Sequence, residues 1–203
     1  MRPIALEHGR AAYWADHVLY AMVTVLLTAY LLMAGPGARW LALAGTALAG
    51  LVVWTLVEYV LHRFVLHHVQ PFRSWHASHH ARAKALIGTP TIASAALIAT
   101  LVYLPVRLGA DPWVACASTL GFTTGYFVYG LVHHAIHHSR GDTAWLRRRK
   151  QLHARHHYRY PQGWFGVTSA FWDRVFGSDP DVTAVSPAGT TGPERCSTAP
   201  GRA

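Results

Sequence analysis

The chain has little cysteine, little acid and little charge of any kind. Two cysteines in 203 residues, Cys116 and Cys196, exclude a disulfide framework, and reduced thiols fit a cytoplasmic setting. Nine acidic residues stand against eighteen basic ones, and no Glu-x-x-His pair occurs. That absence excludes the carboxylate-rich di-iron sites of soluble helical bundles. Only 13% of the chain is charged while 52% is hydrophobic, more apolar than a soluble core of this size requires. The length suits one domain and is short for two.

The apolar residues fall in four runs, 18–34, 40–60, 86–106 and 113–132, each close to the roughly 20 residues that cross a hydrocarbon core as a helix. Tyr13, Trp14, Trp40 and Trp113 stand at the run ends, where aromatic belts form. Gly35-Pro36-Gly37 makes a tight turn between the first two runs, and 108–112 joins the last two, giving two helical hairpins. Pro90 is placed to kink the third run near its start, and Pro105 lies near its end. Sixteen of the eighteen Lys and Arg precede the first run, lie between the second and third, or follow the fourth; only Arg39 and Arg107 fall in the other two loops. The positive-inside rule then puts both termini in the cytoplasm. The first run lacks a small-residue cleavage site and reads as a retained span. The net charge of +9 belongs beside membrane headgroups, and with no soluble basic domain nucleic-acid binding is not expected. Residues 1–181 therefore read as one all-α, multi-pass membrane domain, four transmembrane helices in two hairpins under a cytoplasmic helical cap. Residues 182–203, rich in Ser, Thr, Pro, Gly and Ala, read as a disordered tail.

Against this background histidine is abundant. Thirteen of the fifteen lie in four clusters: His62-Arg-Phe-Val-Leu-His67-His68, His76-Ala-Ser-His79-His80, His133-His134-Ala-Ile-His137-His138 and His153-Ala-Arg-His156-His157. Each lies just past an apolar run or in the basic segment beside it, on the side assigned to the cytoplasm. Imidazole is the commonest protein metal ligand, and so many without cysteine or acid partners imply more than one ion. On a helix, residues three and four apart share a face. His76, His79 and His80 therefore form one convergent triplet, His153, His156 and His157 a second, and His133 pairs with His137. His62 and His67 differ by five and need a local bend or two different metals. Ten imidazoles supply five nitrogens to each of two ions, whereas one tetrahedral zinc takes four. Glu58, one turn before His62, is expected to hold an imidazole N–H. His68 and His134 lie off the shared faces and are read as supporting residues, and His8 and His17 as ordinary polar or packed ones.

These boxes, with Tyr158 and the stretch Gly166-Val-Thr-Ser-Ala-Phe171-Trp-Asp-Arg-Val-Phe176-Gly177, resemble the fatty acid hydroxylase/sterol desaturase superfamily over about residues 50–178. The terminal stretch is most similar to the fatty acid 2-hydroxylase branch. The resemblance implies a membrane-embedded non-haem di-iron oxygenase. It carries over as ligands His62, His67, His76, His79, His80, His133, His137, His153, His156 and His157, with His138 matching a further family histidine. Eukaryotic members of the branch commonly carry a fused cytochrome b5 domain. None precedes the first run here, so the resemblance implies a separate donor, cytochrome b5-like or a ferredoxin with its reductase. The gap between His67 and His76 is also shorter than in those enzymes.

Cutting a lipid C–H bond needs oxidising power that acid–base chemistry lacks. The expected reaction uses two iron ions, O2 and two electrons to hydroxylate an acyl chain; zinc could replace iron in purified protein but cannot perform the redox step. Trp75, Trp164, Phe165 and Phe171 are candidates to line the lipid entrance. Carotenoid ring hydroxylase and sterol or lipid desaturase are the rival enzymes. A metal transporter or sensor is the rival outside catalysis, although a transporter should place ligands near mid-bilayer.

Overall fold

The computed structural model describes residues 7–183. The described residues are helical, apart from connecting segments and one isolated bridge between Glu7 and Ile87. The first helix, α1 (Arg10–Ala34), turns through a short 3-10 segment (Gly37–Arg39) into α2 (Trp40–Val60), which runs on through a π turn (Leu61–Leu66). A short helix, α3 (Phe72–Ala81), follows. Then α4 (Thr91–Ile98) continues through a second π turn (Ala99–Tyr103) into α5 (Leu104–Gly109). The chain returns as α6 (Pro112–His138) and ends in α7 (Ala144–Tyr158), α8 (Phe171–Val175) and α9 (Pro180–Thr183). The expected tail lies outside the described residues, save Val182 and Thr183, which close α9.

Three helical segments are long and apolar enough to cross a membrane: Arg10–Ala34, Gly37–Leu66 and Thr91–Gly109. Their exposed surfaces carry Val25, Leu41, Val52, Ile92 and Leu101, side chains that water would not tolerate in such number and that lipid accepts. The protein is an integral membrane protein. The third span differs from the run read in the sequence. Its helix begins at Thr91, with Pro90 in the extended conformation as its N-cap, because a residue lacking an N–H and fixed in φ is tolerated at a helix start and not within. The Leu86 carbonyl instead accepts from the His8 N–H at 2.8 Å.

The expected fourth span lies inside α6, which is 27 residues long but is not among the three segments apolar enough to stand alone in lipid. Its position explains this. Helix α6 packs along both α1 and α2, so much of its surface meets protein, and Gly, Thr and Tyr stand there in place of aliphatic residues. Asp111 caps its first turn, accepting from the Trp113 and Val114 N–H groups. Tyr20, Trp54, Ile98 and Phe122, one from each of α1, α2, α4 and α6, form the shared core.

Helices α2 and α6 approach so closely that a methyl group has no room between them. A Cβ on Gly121 would stand 1.8 Å from the Ala47 carbonyl oxygen, and one on Gly125 would strike the Trp54 ring. Small residues at such a crossing let backbones touch, which drives helix association where lipid removes any hydrophobic advantage. Gly121→Val should lower stability by about 3 kcal/mol, seen as a reduced thermal midpoint in detergent. Gly45→Ala, whose Cβ meets nothing within 4 Å, should leave it unchanged or higher.

Candidate metal centre

All four histidine clusters meet at one end of the bundle. Among the described residues the ring nitrogens fall into two groups, each with its donor atoms within 4.8 Å of one another. The first is His62, His67, His76, His80 and His156; the second is His79, His133, His137 and His153. The π turn builds the first group. Its i→i+5 hydrogen bonding brings residues five apart onto one face, so His62 and His67 stack with centroids 5.3 Å apart. The local bend that this spacing requires is thus a π turn.

The two triplets do not each serve one site. On α3, His76 and His80 join the first group and His79 the second; on α7, His156 joins the first and His153 the second. Residues three and four apart lie on opposite sides of the line through the first residue, since each step rotates the helix by about 100°. Each helix therefore stands across the boundary between the groups, with one arm of its triplet on either side. His157 stands there too. It stacks on His80 at 4.2 Å, with its ring 4.4 Å from His153, and both its nitrogens are buried without a hydrogen-bond partner. His134 and His138 lie outside both groups, stacked on each other, with His134 Nδ1 3.1 Å from the Tyr13 hydroxyl.

The donor set fits metal ions. His62 Nδ1 lies 2.5 Å from the Phe165 carbonyl oxygen and His156 Nδ1 lies 2.8 Å from that of Gly163. A carbonyl only accepts, so both rings carry their proton on Nδ1 and present a bare Nε2 lone pair. The His62 and His156 Nε2 atoms face those of His76 and His67 at 3.0 and 3.2 Å. In the second group His133 Nε2 is 3.1 Å from His79 Nε2, and His137 Nε2 is 3.0 Å from His153 Nε2. Converging lone pairs in a buried place are what a cation relieves. Burial, reinforced by neighbouring imidazoles, holds His67 down to about 4 and His79 to about 3. His156 is held to about 3 and His157 to about 2, again mainly by burial. At neutral pH these rings are uncharged, as metal binding requires.

Glu58 does not hold an imidazole. Its Oε1 accepts from the Val167 and Thr168 N–H groups at 2.8 and 2.9 Å, and its Oε2 from the Thr168 hydroxyl at 2.6 Å. Asp173, fully buried, accepts from the Phe165 and Gly166 N–H groups, both at 2.8 Å, and from Ser178 Oγ. Burial raises its carboxyl pKa, opposed by these hydrogen bonds. The two carboxylates thus pin the loop 163–168, whose carbonyls in turn hold His62 and His156. Within that loop Trp164 takes a positive φ of 54°, uncommon for a bulky residue, and its Nε1–H donates to Asp179. Gly166 is required because a Cβ there would stand 1.9 Å from the Ser169 carbonyl oxygen. Asp173 was missed as a positioning residue, although it sits in the Phe-Trp-Asp stretch that carries the family resemblance.

A cavity of about 160 Å³ opens beside the nitrogens, reaching His62, His76, His79 and His133. Of the four aromatic candidates for its entrance only Trp75 lines it; Trp164 and Phe165 are buried in the pinned loop and Phe171 is exposed elsewhere. Sequence reading missed another part of the lining, Tyr13, Asp16, His17, Tyr126 and Tyr129, because only the meeting of α1 with α6 brings it together.

Fold and site together define a class: an all-helical membrane protein with a buried, histidine-only centre able to hold metal. The family model for fatty acid hydroxylase matches residues 47–178, and the chain belongs to that family. It is 33% identical over 114 residues to the dihydroceramide fatty acyl 2-hydroxylase FAH2 of Arabidopsis thaliana, covering 55% of this chain and 47% of that protein. It is 34% identical over 109 residues to the ceramide very long chain fatty acid hydroxylase scs7 of Schizosaccharomyces pombe, covering 52% and 31% respectively. The chain thus spans about half or less of these relatives' length. A solved structure of full-length scs7p, in which only the hydroxylase domain is visible, superposes with a TM-score of 0.69 at 29% identity, covering 83% of this chain and 66% of that one.

Two outcomes follow from this geometry. Glu58→Ala leaves two peptide N–H groups unanswered and should cost about 3 kcal/mol, read as a lowered melting temperature. Because the clustered imidazoles titrate below their usual 6.5 when folded, the unfolded chain binds more protons than the folded one between about pH 6.5 and 3. Metal-free protein should therefore lose stability steadily as pH falls through that window, with little change between pH 7 and 8.

Proposed function

We propose that this chain is an O2-dependent hydroxylase of lipid acyl chains, acting as its named 2-hydroxylase relatives do, with two iron ions held by histidine. The observation that carries this reading is the pair of convergent imidazole groups facing one cavity in a membrane-embedded bundle. One ion is assigned His62, His67, His76, His80 and His156. The other is assigned His79, His133, His137, His153 and His157, whose ring lies 5.1 Å from that of His137. His134 and His138 remain outside as supporting residues.

Bound iron with O2 and two electrons supplies the oxidation that inserts one oxygen into a C–H bond, the other leaving as water. The chain's own residues hold and orient. The Phe165 and Gly163 carbonyls keep the His62 and His156 protons on Nδ1, so that each Nε2 stays available. Glu58 and Asp173 keep those carbonyls still. Burial excludes water from the nitrogens, and the cavity holds the acyl lipid against them. Hydroxylation is preferred to desaturation because the named relatives are hydroxylases. Transport is less well supported, since the histidines gather at one end of the helices and not at mid-bilayer.

In this reading α6 is the fourth span, residues 1–181 form the catalytic domain, and both termini and the histidine face lie in the cytoplasm, where sixteen basic residues sit. Electrons come from a separate donor, cytochrome b5-like or a ferredoxin with its reductase.

Lipid mass spectrometry of cells supplied with iron and a competent reductase tests the reading. Cells expressing the wild-type chain should show a gain of one oxygen on acyl chains, and those expressing His76→Ala with His79→Ala, one ligand from each group, should not. Loss of two hydrogens would instead make it a desaturase. Purified wild-type protein should retain about two metal ions through washing, as the two groups require, and the double variant fewer.

A further inference from the structure

The segment that follows the pinned loop lies against a membrane span. In α2 the residues Leu48, Val52, Thr55 and Tyr59 recur at intervals of four and three and form one stripe. Leu48 and Val52 are exposed on the surface that meets lipid. The next two positions are covered by α8 and its end. Trp172 Nε1–H donates to Thr55 Oγ1 at 3.0 Å, and the Phe176 ring stacks on those of Tyr59 and Trp172 at 5.4 and 5.8 Å. One face of α2 thus meets lipid toward Arg39 and α8 toward the histidines.

The far end of the helix fixes the depth of that contact. Arg39 pairs with Asp111 at 2.7 Å, both partly exposed, and such charges stay out of the hydrocarbon. About 20 helical residues cross the apolar layer, so a layer that starts after Arg39 extends at least to Tyr59. Thr55 then lies about 6 Å inside its edge. Tilt only deepens it, since a tilted helix needs more residues to cross. Glu58, on the next turn, holds the Val167 and Thr168 N–H groups. The whole stretch 167–176 therefore runs beside the last turns of the span, within the bilayer.

The outward face of this stretch suits that place. Phe171 is 57% exposed, Val175 53% and Phe176 49%, whereas Asp173 on the inward face of α8 is fully buried. Lipid admits backbone only where protein satisfies its hydrogen bonds, and here they are made. Phe171 N–H donates to Ser169 Oγ at 3.1 Å, and the Arg174 and Phe176 N–H groups donate to the Ala170 and Trp172 carbonyls at 3.3 and 2.9 Å. Arg174 is exposed beside the patch, on a stem long enough to carry its charge up to a phosphate. We propose that α8 and Phe176 re-enter the leaflet on the histidine side, with acyl chains covering Phe171, Val175 and Phe176 and lipid phosphate meeting Arg174. The buried face of α8 carries Asp173, which pins the loop whose carbonyls hold His62 and His156. Bilayer contact therefore steadies the metal centre from outside, a consequence that rests on the metal reading above.

The test is fluorescence quenching on the full chain in phosphatidylcholine nanodiscs. With Cys116→Ser and Cys196→Ser as background, a fluorophore is placed singly through Phe171→Cys or Val175→Cys. Leu101→Cys, exposed on the third span, serves as the lipid reference, and Gln151→Cys, exposed on α7, as the water reference. Labels at 171 and 175 should be quenched several-fold more than at 151 by lipid spin-labelled near the head of its acyl chain, and several-fold less by iodide. Iodide quenching as strong as at 151 would overturn the seat. So would shielding from both quenchers, which would mean that a second copy of the chain covers the patch. The second readout is loss of bound zinc to a chelator. Phe171→Ser with Val175→Ser should release it several-fold faster than wild type in nanodiscs, while Leu101→Ser should not. Release at the wild-type rate would overturn the steadying of the metal centre. The quenching pattern needs no metal and no serine variant, so a wild-type chain that retains no zinc would sink the metal reading while the pattern still decides the seat.

Discussion

The structure depends on two buried carboxylates gripping one irregular loop. Glu58 from α2 and Asp173 from α8 together accept four peptide N–H groups between Phe165 and Thr168. Nothing in that loop belongs to a helix, so without these acceptors its buried backbone would be left unpaired at considerable cost. Once pinned, it turns the carbonyls of Gly163 and Phe165 onto His156 and His62. The chain has few acids, and two of them serve the scaffold one step behind the imidazoles.

A second constraint is the close contact of α2 with α6. Gly121 and Gly125 let the backbones meet, and α2 carries the π turn with His62 and His67 while α6 carries His133 and His137. Each of the two long helices contributes to a different nitrogen group. Their separation therefore sets how the two groups stand relative to each other. Helices α3 and α7 lie across the gap and each gives residues to both groups. The groups are unequally supported. Two rings of the first are held by backbone carbonyls, whereas in the second the Nδ1 atoms of His79 and His153 are buried without partners.

Much of this was legible beforehand. The apolar runs located the helices, and ten imidazoles stood out by their i, i+3, i+4 repetition, because helix geometry turns those intervals into proximity. Nine of the ten fall in the two groups and His157 lies between them. The role of Glu58 was misread because sequence places it one turn from His62 but cannot show that a loop more than a hundred residues later arrives first. The start of the third span was placed too early because Leu86 and Ile87 are as apolar as the helix they precede, and only Pro90 marks the boundary. The run 113–132 falls within α6, whose faces packed on α1 and α2 carry Gly and Thr in place of aliphatic residues.

By itself the sequence determined which elements form, which residue type does the chemistry and how the ligands are spaced along each helix. All three are local properties, governed by hydropathy, turn residues and the rise of the helix. The tertiary structure decided how the ligands divide, since the split of each triplet depends on which neighbours each side of a helix faces. It also decided that a five-residue interval becomes a π turn, and that Tyr126 joins Asp16 and His17, more than a hundred residues away, in lining one cavity. Those are long-range outcomes, set by helices closing on one another, and no local interval encodes them.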